Sequence, residues 1–320
     1  MKALWVSWQR HRRTREIARV LDMELVEICS SAARPWKYIP LLVRTTRALA
    51  AGRPTHLFVQ CPSIVLAVWA VLLKPLLGYR LVADLHNEAV EPFINRSRAY
   101  RRLLALIHRA ADLSLVSNSA LARVVEANGG RPFVLPDRIP DLPPPAGGRD
   151  APPFTVVFIC SFAPDEPYRE VVRAATHLGD LAMVHVTGPV DRSAWSDPVP
   201  ENLRFTGYLP DEAYVELLRR ADVVVDLTAM ENCLVCGGYE AVALQKPLVT
   251  SDTHALRTFF REGAVYTRHD PAAIAEAVRL ALERRRELQA KMRRLRRDLE
   301  RRWEARMPAL ADRLAELGSR

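Results

Sequence analysis

The sequence predicts an α/β protein built from two successive doubly wound halves, and three observations predict it. Apolar runs of strand length alternate with helical segments along nearly the whole chain, the pattern of parallel sheets covered on both faces. The alternation stops at 139–153, where PDLPPPAGGRDAPP concentrates Pro and Gly, and then starts again. A long amphipathic helix closes the sequence, and 320 residues suffice for two domains, each with its own core.

In the first half, Lys2–Trp8 reads as a strand, Thr14–Leu21 as a helix and Glu24–Cys29 as a second strand. A helix over Tyr38–Ala51, a strand over His56–Gln60 and an apolar helix over Ser63–Leu73 follow. Arg80–Leu85 is the fourth strand and Tyr100–Ala111 a helix with apolar and basic faces. Strands at Leu113–Val116 and Pro132–Leu135 flank the helix Ala120–Asn128. In the second half, strands are expected at Thr155–Cys160, Met183–Thr187, Leu203–Phe205, Val223–Leu227, Leu248–Thr250 and Ala264–Tyr266. Helices are expected at Tyr168–Leu178, Asp211–Arg220, Gly238–Leu244, His254–Phe260 and Pro271–Arg285. Beyond them Leu282, Leu288, Met292, Leu295, Leu299, Trp303, Met307, Leu310, Leu314 and Leu317 recur mostly at intervals of three and four, one apolar helical stripe. Pro308 is expected to kink or restart that helix. The same stripe also fits a coiled-coil seam between protomers.

A hydrophobic fraction of 49% suits a soluble globular protein. The longest apolar run, Ile64–Leu73, ends at Lys74-Pro75, too short to span a bilayer. MKALWVSW runs straight into a strand without a signal-peptide pattern, so a cytoplasmic location is expected. The five cysteines are scattered as reduced thiols would be, and Cys233-x-x-Cys236 lacks the second pair or His cluster that would complete a zinc site. The net charge of +9 suggests an anionic partner. Residues 281–320 carry 13 Lys and Arg against 7 Asp and Glu, so +6 of it lies in the last eighth of the chain. Nucleic acid fits the charge but not the pattern, since the basic helix lacks exposed aromatics for stacking and no recognised module is present.

The most informative stretch is VVVDLTAMENCLVCGGYEAVALQKPLVTSD, 223–252, a strand–loop–helix–strand unit. Gly237 and Gly238 open the helix and would let a ligand approach the backbone, while a helix start offers N–H groups to an anion such as a diphosphate. Glu240, in the first turn, is placed to accept two hydrogen bonds from a ribose diol; it also simply complements the helix dipole. CGGYEAVALQKPLVTSD, followed by GAVY and DPAAIAEAV, resembles the nucleotide-sugar site of the GT-B glycosyltransferases, specifically the retaining family 4. The resemblance implies two Rossmann-like domains facing a cleft and a C-terminal helix crossing back to the first. It sets residues 1–140 as an acceptor-binding domain, 141–153 as linker, 154–290 as the nucleotide-sugar domain and 291–320 as the returning helix. It assigns the ribose to Glu240 and a place near the transferred sugar to Glu231. Eight residues separate the two, one more than is usual in the family.

In doubly wound sheets, ligands lie beyond the carboxyl ends of the strands. That rule nominates QRHRR after the first strand, HNE after the fourth, 161–167, Thr187-Gly188-Pro189 and Gly207-Tyr208-Leu209. The resemblance places His86 near the transferred sugar as a catalytic residue. It makes Ser161, Thr187, Gly188, Tyr208, Leu209 and Tyr239, with Gly237 and Gly238, donor contacts. Where the family carries an Arg and a Lys for the diphosphate, this chain has SFAPDEPYRE, with Ser161 near the Arg position and Asp165-Glu166 near the Lys. Two carboxylates repel a diphosphate, so Arg10, Arg12 or Arg13 is expected to supply the missing charge, with the helix start at Gly237-Gly238. No acidic pair in a suitable loop suggests a catalytic metal. The expected activity is transfer of a hexose-like sugar, with retention, from a UDP- or GDP-sugar substrate to a sugar or lipid-linked acceptor, as in polysaccharide biosynthesis. No cofactor is expected. The basic terminal helix and the apolar Ile64–Leu73 together suggest peripheral docking on the anionic inner face of a membrane. A sugar-nucleotide epimerase or hydrolase and a non-catalytic binding subunit of the same fold are the alternatives.

Overall fold

The computed structural model describes residues 2–32, 35–61, 63–94, 97–145, 150–190, 195 and 197–318, and it divides into two units. Unit 1 is Met1–Arg138 with Arg301–Arg320; unit 2 is Ile139–Glu300. Residues 146–149 of the linker and 319–320 of the returning helix lie outside the described residues.

Unit 1 runs β1 (Ala3–Ser7), α1 (Arg12–Val20), β2 (Glu24–Glu27), α2 (Tyr38–Gly52), β3 (His56–Cys61) and α3 (Ile64–Leu77). It continues through β4 (Arg80–Leu85), α4 (Asn87–Val90), α5 (Arg98–Ala110), β5 (Leu113–Val116), α6 (Ser119–Ala127) and β6 (Pro132–Val134). The strands pair in parallel in the order β2-β1-β3-β4-β5-β6. Alternation along each strand sends side chains to opposite faces. Leu4, Val6, Leu57, Val59, Leu81 and Ala83 pack with Leu41, Leu49, Leu66, Ala70 and Ile107 of α2, α3 and α5. Trp5, Phe58 and Val82 face the other way, onto Ile17 and Ala18 of α1.

Unit 2 runs β7 (Phe154–Phe158), α7 (Tyr168–Leu178), β8 (Ala182–Thr187), β9 (Leu203–Gly207), α8 (Asp211–Arg220) and β10 (Val223–Asp226). There follow α9 (Cys236–Ala243), β11 (Leu248–Ser251), α10 (His254–Phe260), β12 (Ala264–Thr267), α11 (Pro271–Glu283) and α12 (Arg285–Gly318). Its parallel sheet is ordered β12-β11-β10-β7-β8-β9. The order reverses between β7 and β10, and in unit 1 between β1 and β3. In a doubly wound sheet such a reversal opens a crevice at the strands' carboxyl ends.

Helix α12 belongs to both units. Leu288, Met292, Leu295 and Leu299 are buried among unit 2 side chains, whereas Trp303, Met307, Leu310, Leu314 and Leu317 join the α1 side of the unit 1 core. The whole stripe is therefore consumed within its own chain, which removes the inter-protomer seam. Nor does Pro308 interrupt the helix, which runs unbroken from Arg285 to Gly318 with that proline exposed. Among the described residues, four-residue α4 is the one α-helix that the sequence pattern does not separate.

Candidate functional site

In unit 2, α9 starts at the reversal of strand order, and the structure shows why it starts with glycines. A Cβ on Gly237 would lie 2.3 Å from Ile159 Cδ1 and 2.6 Å from Asp226 Oδ2; one on Gly238 would lie 2.3 Å from Phe260 Cζ. Both glycines are buried, so the close approach they permit is by protein side chains. The Gly237 N–H donates to Asp226 Oδ2 at 2.7 Å, so the end of β10 already answers the start of α9. Burial pushes the Asp226 carboxyl well above its ordinary range, against the pull of the Gly237 and Gly238 N–H groups; Glu166 and Glu240 add to the rise. The packing role corrects the expectation that the glycine pair exists to admit a ligand.

Glu240 lies one turn further on, half-buried, and accepts the Tyr214 hydroxyl at Oε2 over 2.6 Å. Burial first, and then Glu240, raise the Tyr214 hydroxyl far above its usual range, so it stays a donor at any working pH. Helix α8 thereby fixes the carboxylate's orientation. Tyr239 points elsewhere: it is buried, its ring centroid 5.1 Å from Phe259 and 6.2 Å from Phe260, so its ring belongs to the core rather than to a binding surface. Exposed Glu231 accepts the His254 N–H over 3.1 Å and so holds the start of α10.

Three loops line up beyond β7, β8 and β9. Glu166 organises the first: Oε2 accepts the N–H groups of Ser161 and Ala163, each at 2.9 Å, and Oε1 accepts the Ser161 hydroxyl at 2.9 Å. Asp165 accepts the Thr228 hydroxyl at 2.6 Å. The loop's anion-binding N–H groups are thus answered by its own carboxylate, and no cation stands in it. Thr187 is buried and accepts the Cys160 N–H at 3.2 Å, tying β8 to β7. Gly188, at φ 95°, is required, because a Cβ there would meet Cys160 O at 2.1 Å. Its N–H reaches Gly207 O at 3.2 Å, which sets the third loop beside the second. There Tyr208 is 79% exposed and Leu209 half-buried.

Unit 1 gathers a second polar group, at the ends of β1 and β4. Arg13 is buried: its Nε donates to Asp84 Oδ1 at 2.9 Å, and its Nη1 to Asp137 Oδ1 at 2.7 Å and Leu135 O at 2.8 Å. Burial alone would lower the guanidinium's pKa, but the two carboxylates overcome it and raise it; Asp137 in turn is held below its usual range despite its own burial. This corrects the expectation that Arg13 reaches a diphosphate; Arg10 and Arg12 are exposed. His86 caps α4, with Nε2 at 3.7 Å from Asp84 Oδ2, and its ring meets His11 edge-on at 4.6 Å. Burial, and then the nearby His86, lower the His11 pKa to about 4. His11 Nδ1, Arg13 Nη2, Asp84 Oδ2 and His86 Nε2 are all buried without a hydrogen-bond partner among the described residues. A cavity of about 440 Å³ in the same unit lies past the ends of β1 and β3, at the reversal of strand order, lined by Trp8, Gln9, Ser30, Lys37, Tyr38 and Tyr100 among others.

Residues 166–312 match the family model for glycosyl transferase-like proteins. No curated protein matches the chain. Among solved structures, sucrose-phosphate synthase of Thermosynechococcus elongatus superposes with a TM-score of 0.79 at 13% identity, over 100% of both chains. HepE of Anabaena, in complex with UDP and glucose, gives 0.75 at 12% identity over 98% of this chain and 99% of that one. The lipopolysaccharide outer core galactosyltransferase WaaB gives 0.61 at 10% identity over 99% of each. The chain has the GT-B fold. Within this GT-B chain the matched stretch begins at Glu166 and takes in Tyr214, Asp226, Glu231 and Glu240. Asp226, Tyr214, His11, Asp84 and Asp137 are site neighbours that the sequence reading did not single out.

Proposed function

We propose that the protein transfers a sugar from a nucleoside diphosphate donor, bound by unit 2, to an acceptor bound by unit 1. The observation that carries this is Glu240: a carboxylate oriented by Tyr214 on a helix that starts at the strand-order reversal. A ribose diol needs a carboxylate acceptor of this kind, and charge-assisted hydrogen bonds are the strong ones. Gly188, Tyr208 and Leu209 offer backbone and ring to the base and diphosphate. Glu231, nine residues before Glu240, would keep a place near the transferred sugar through its hold on α10. Arg10 and Arg12 remain the candidates for the diphosphate's charge, because the acidic loop of Asp165 and Glu166 offers none. Transfer is read as retaining and independent of a metal ion. His86, set against Asp84 and His11, would donate to a sugar hydroxyl.

The cavity in unit 1 suits the acceptor. Its aromatic rings offer faces for a sugar, Gln9 and Ser30 offer hydrogen bonds, and Lys37 offers a charge for a phosphate. A sugar carried on a lipid phosphate, as in polysaccharide assembly at the inner face of a membrane, combines those features. HepE binds UDP and UDP-glucose, which makes a UDP-sugar the first donor to try. A thermal-shift screen with UDP, GDP, ADP and their sugars tests the proposal. A true donor at a hundredfold its Kd stabilises the protein by about 2.7 kcal/mol. No shift with any of them would end it, and a shift without turnover of any donor sugar would favour a binding subunit.

A further inference from the structure

The two features that pointed to a membrane in the sequence do not lie on one face of unit 1. The terminal part of α12 packs on the α1 side of the sheet, and α3 on the other, between α2 and α5. Helix α12 also buries its entire apolar stripe, and some of its charges pair with each other, as Arg296 does with Glu300 and Arg313 with Glu316. Among the described residues no large apolar side chain of α12 is exposed.

The α2–α3–α5 face is different. Val65, Leu72 and Leu76 of α3, Ile39 and Val43 of α2 and Leu106 of α5 are exposed, Leu76 by 78%. Spacings of seven and four residues in α3 and of four in α2 keep these side chains on one side of each helix. The three helices contain no Asp or Glu. Arg44 and Arg47 continue the exposed side of α2, and Arg98, Arg102 and Arg109 that of α5, so arginines flank the apolar strip. Trp36, 73% exposed, precedes α2 beside Lys37. Helix α3 is too short and too interrupted to cross a bilayer, and no described helix is long and apolar enough to do so.

We infer that unit 1 docks on an anionic lipid surface through α2, α3 and α5, with the α3 side chains entering the headgroup boundary and the arginines binding lipid phosphates. Basic residues around apolar ones suit an interface that is anionic at its surface and apolar beneath. A second copy of the chain fits less well. A two-fold contact would set arginines against arginines with no carboxylate on any of the three helices to answer them. Nucleic acid would meet aliphatic side chains where it needs stacking platforms. The cavity supports the choice, since Val65 and Lys37 belong both to its lining and to this face, and a lipid-linked acceptor held at the surface would lie beside it.

Docking is measured on the full chain without donor or acceptor, so its failure would leave the transfer reading standing. The assay is cosedimentation with phosphatidylcholine vesicles containing or lacking phosphatidylglycerol, at low and high salt. The wild type should bind the anionic vesicles at low salt and release as salt rises. Each arginine removed near the surface should weaken binding about fivefold, so R44A/R47A/R102A should lose on the order of a hundredfold. L72E/L76E, both at exposed positions, should abolish binding with unchanged circular dichroism and donor-induced thermal shift. A wild type that stays in the supernatant at low salt overturns the inference. So does binding that survives L72E/L76E but is lost on replacing Arg293 and Arg297 of α12. A dimer in sedimentation velocity that L72E/L76E dissociates would likewise assign the face to self-association.

Discussion

Replacing Arg13 with Ala separates a structural guanidinium from a phosphate ligand. Arg13 is 5% exposed, and its side chain answers three acceptors, two of them carboxylates, at 2.7–2.9 Å. Removing it leaves Asp84, fully buried, and Asp137 without their cation, together with the Leu135 carbonyl. Breaking a buried pair on one side costs about 3–5 kcal/mol, a large share of the 5–15 kcal/mol typical of a domain. The loss should fall on unit 1, which holds five of the six tryptophans. Urea unfolding followed by tryptophan fluorescence should show the early transition of the variant, and hydrogen exchange should place it in β1, β4 and α1. Arg12→Ala, at an exposed position of the same helix, should change stability by less than about 0.5 kcal/mol. At low temperature, where the Arg13→Ala variant is still folded, its affinity for the nucleoside diphosphate should match the wild type. A stable variant with weakened donor binding would refute the assignment and restore Arg13 to the diphosphate.

The glycines of α9 make a second prediction. Gly238→Ala drives a methyl into Phe260, itself fully buried, and should destabilise unit 2 by about 1–3 kcal/mol; a melting temperature equal to the wild type would contradict the packing role. The His11 imidazole supplies a third. Its native pKa of about 4 lies below the unfolded value of 6.5, so the unfolded chain binds the extra proton between those limits. Stability from this group is therefore fully present above pH 6.5 and falls as pH drops towards 4, by at most about 3 kcal/mol. His11→Asn should flatten that part of the stability–pH curve, and a curve parallel to the wild type would be inconsistent with a neutral, half-buried His11.

The alternation of strands and helices was legible because each run has the length and periodicity of its element, and the terminal stripe was legible for the same reason. Side-chain direction within a motif was harder. In QRHRR the three arginines look equivalent, yet Arg13 and Ile17 are one helical turn apart, as are Thr14 and Ala18, and all four are buried. That phase was readable and distinguishes Arg13 from Arg12. The glycine pair reads as an opening for a ligand in the sequence, but its neighbours Ile159, just past β7, and Phe260 of α10 are distant in the chain, and no local pattern names them. Asp226 ends the apolar run VVVD and resembles any strand terminus until the fold brings the Gly237 N–H to it. In the sequence Glu166 is a repelling charge; that it folds back on Ser161 and Ala163 depends on the loop's shape. Most of the +9 charge sits at the end of the chain, whereas α2, α3 and α5, with no acidic residue among them, lie between 38 and 110.

In the proposed donor site the Glu240 carboxylate, steadied by Tyr214, holds the ribose of a nucleoside diphosphate. Isothermal titration of wild type and Glu240→Ala with the diphosphate that gives the largest thermal shift tests it directly. Loss of two hydrogen bonds to a charged acceptor, each worth about 1.5–3 kcal/mol, should weaken binding by at least about a hundredfold, with Tyr214→Phe falling between the two. Equal affinity in wild type and Glu240→Ala, both folded, would contradict it.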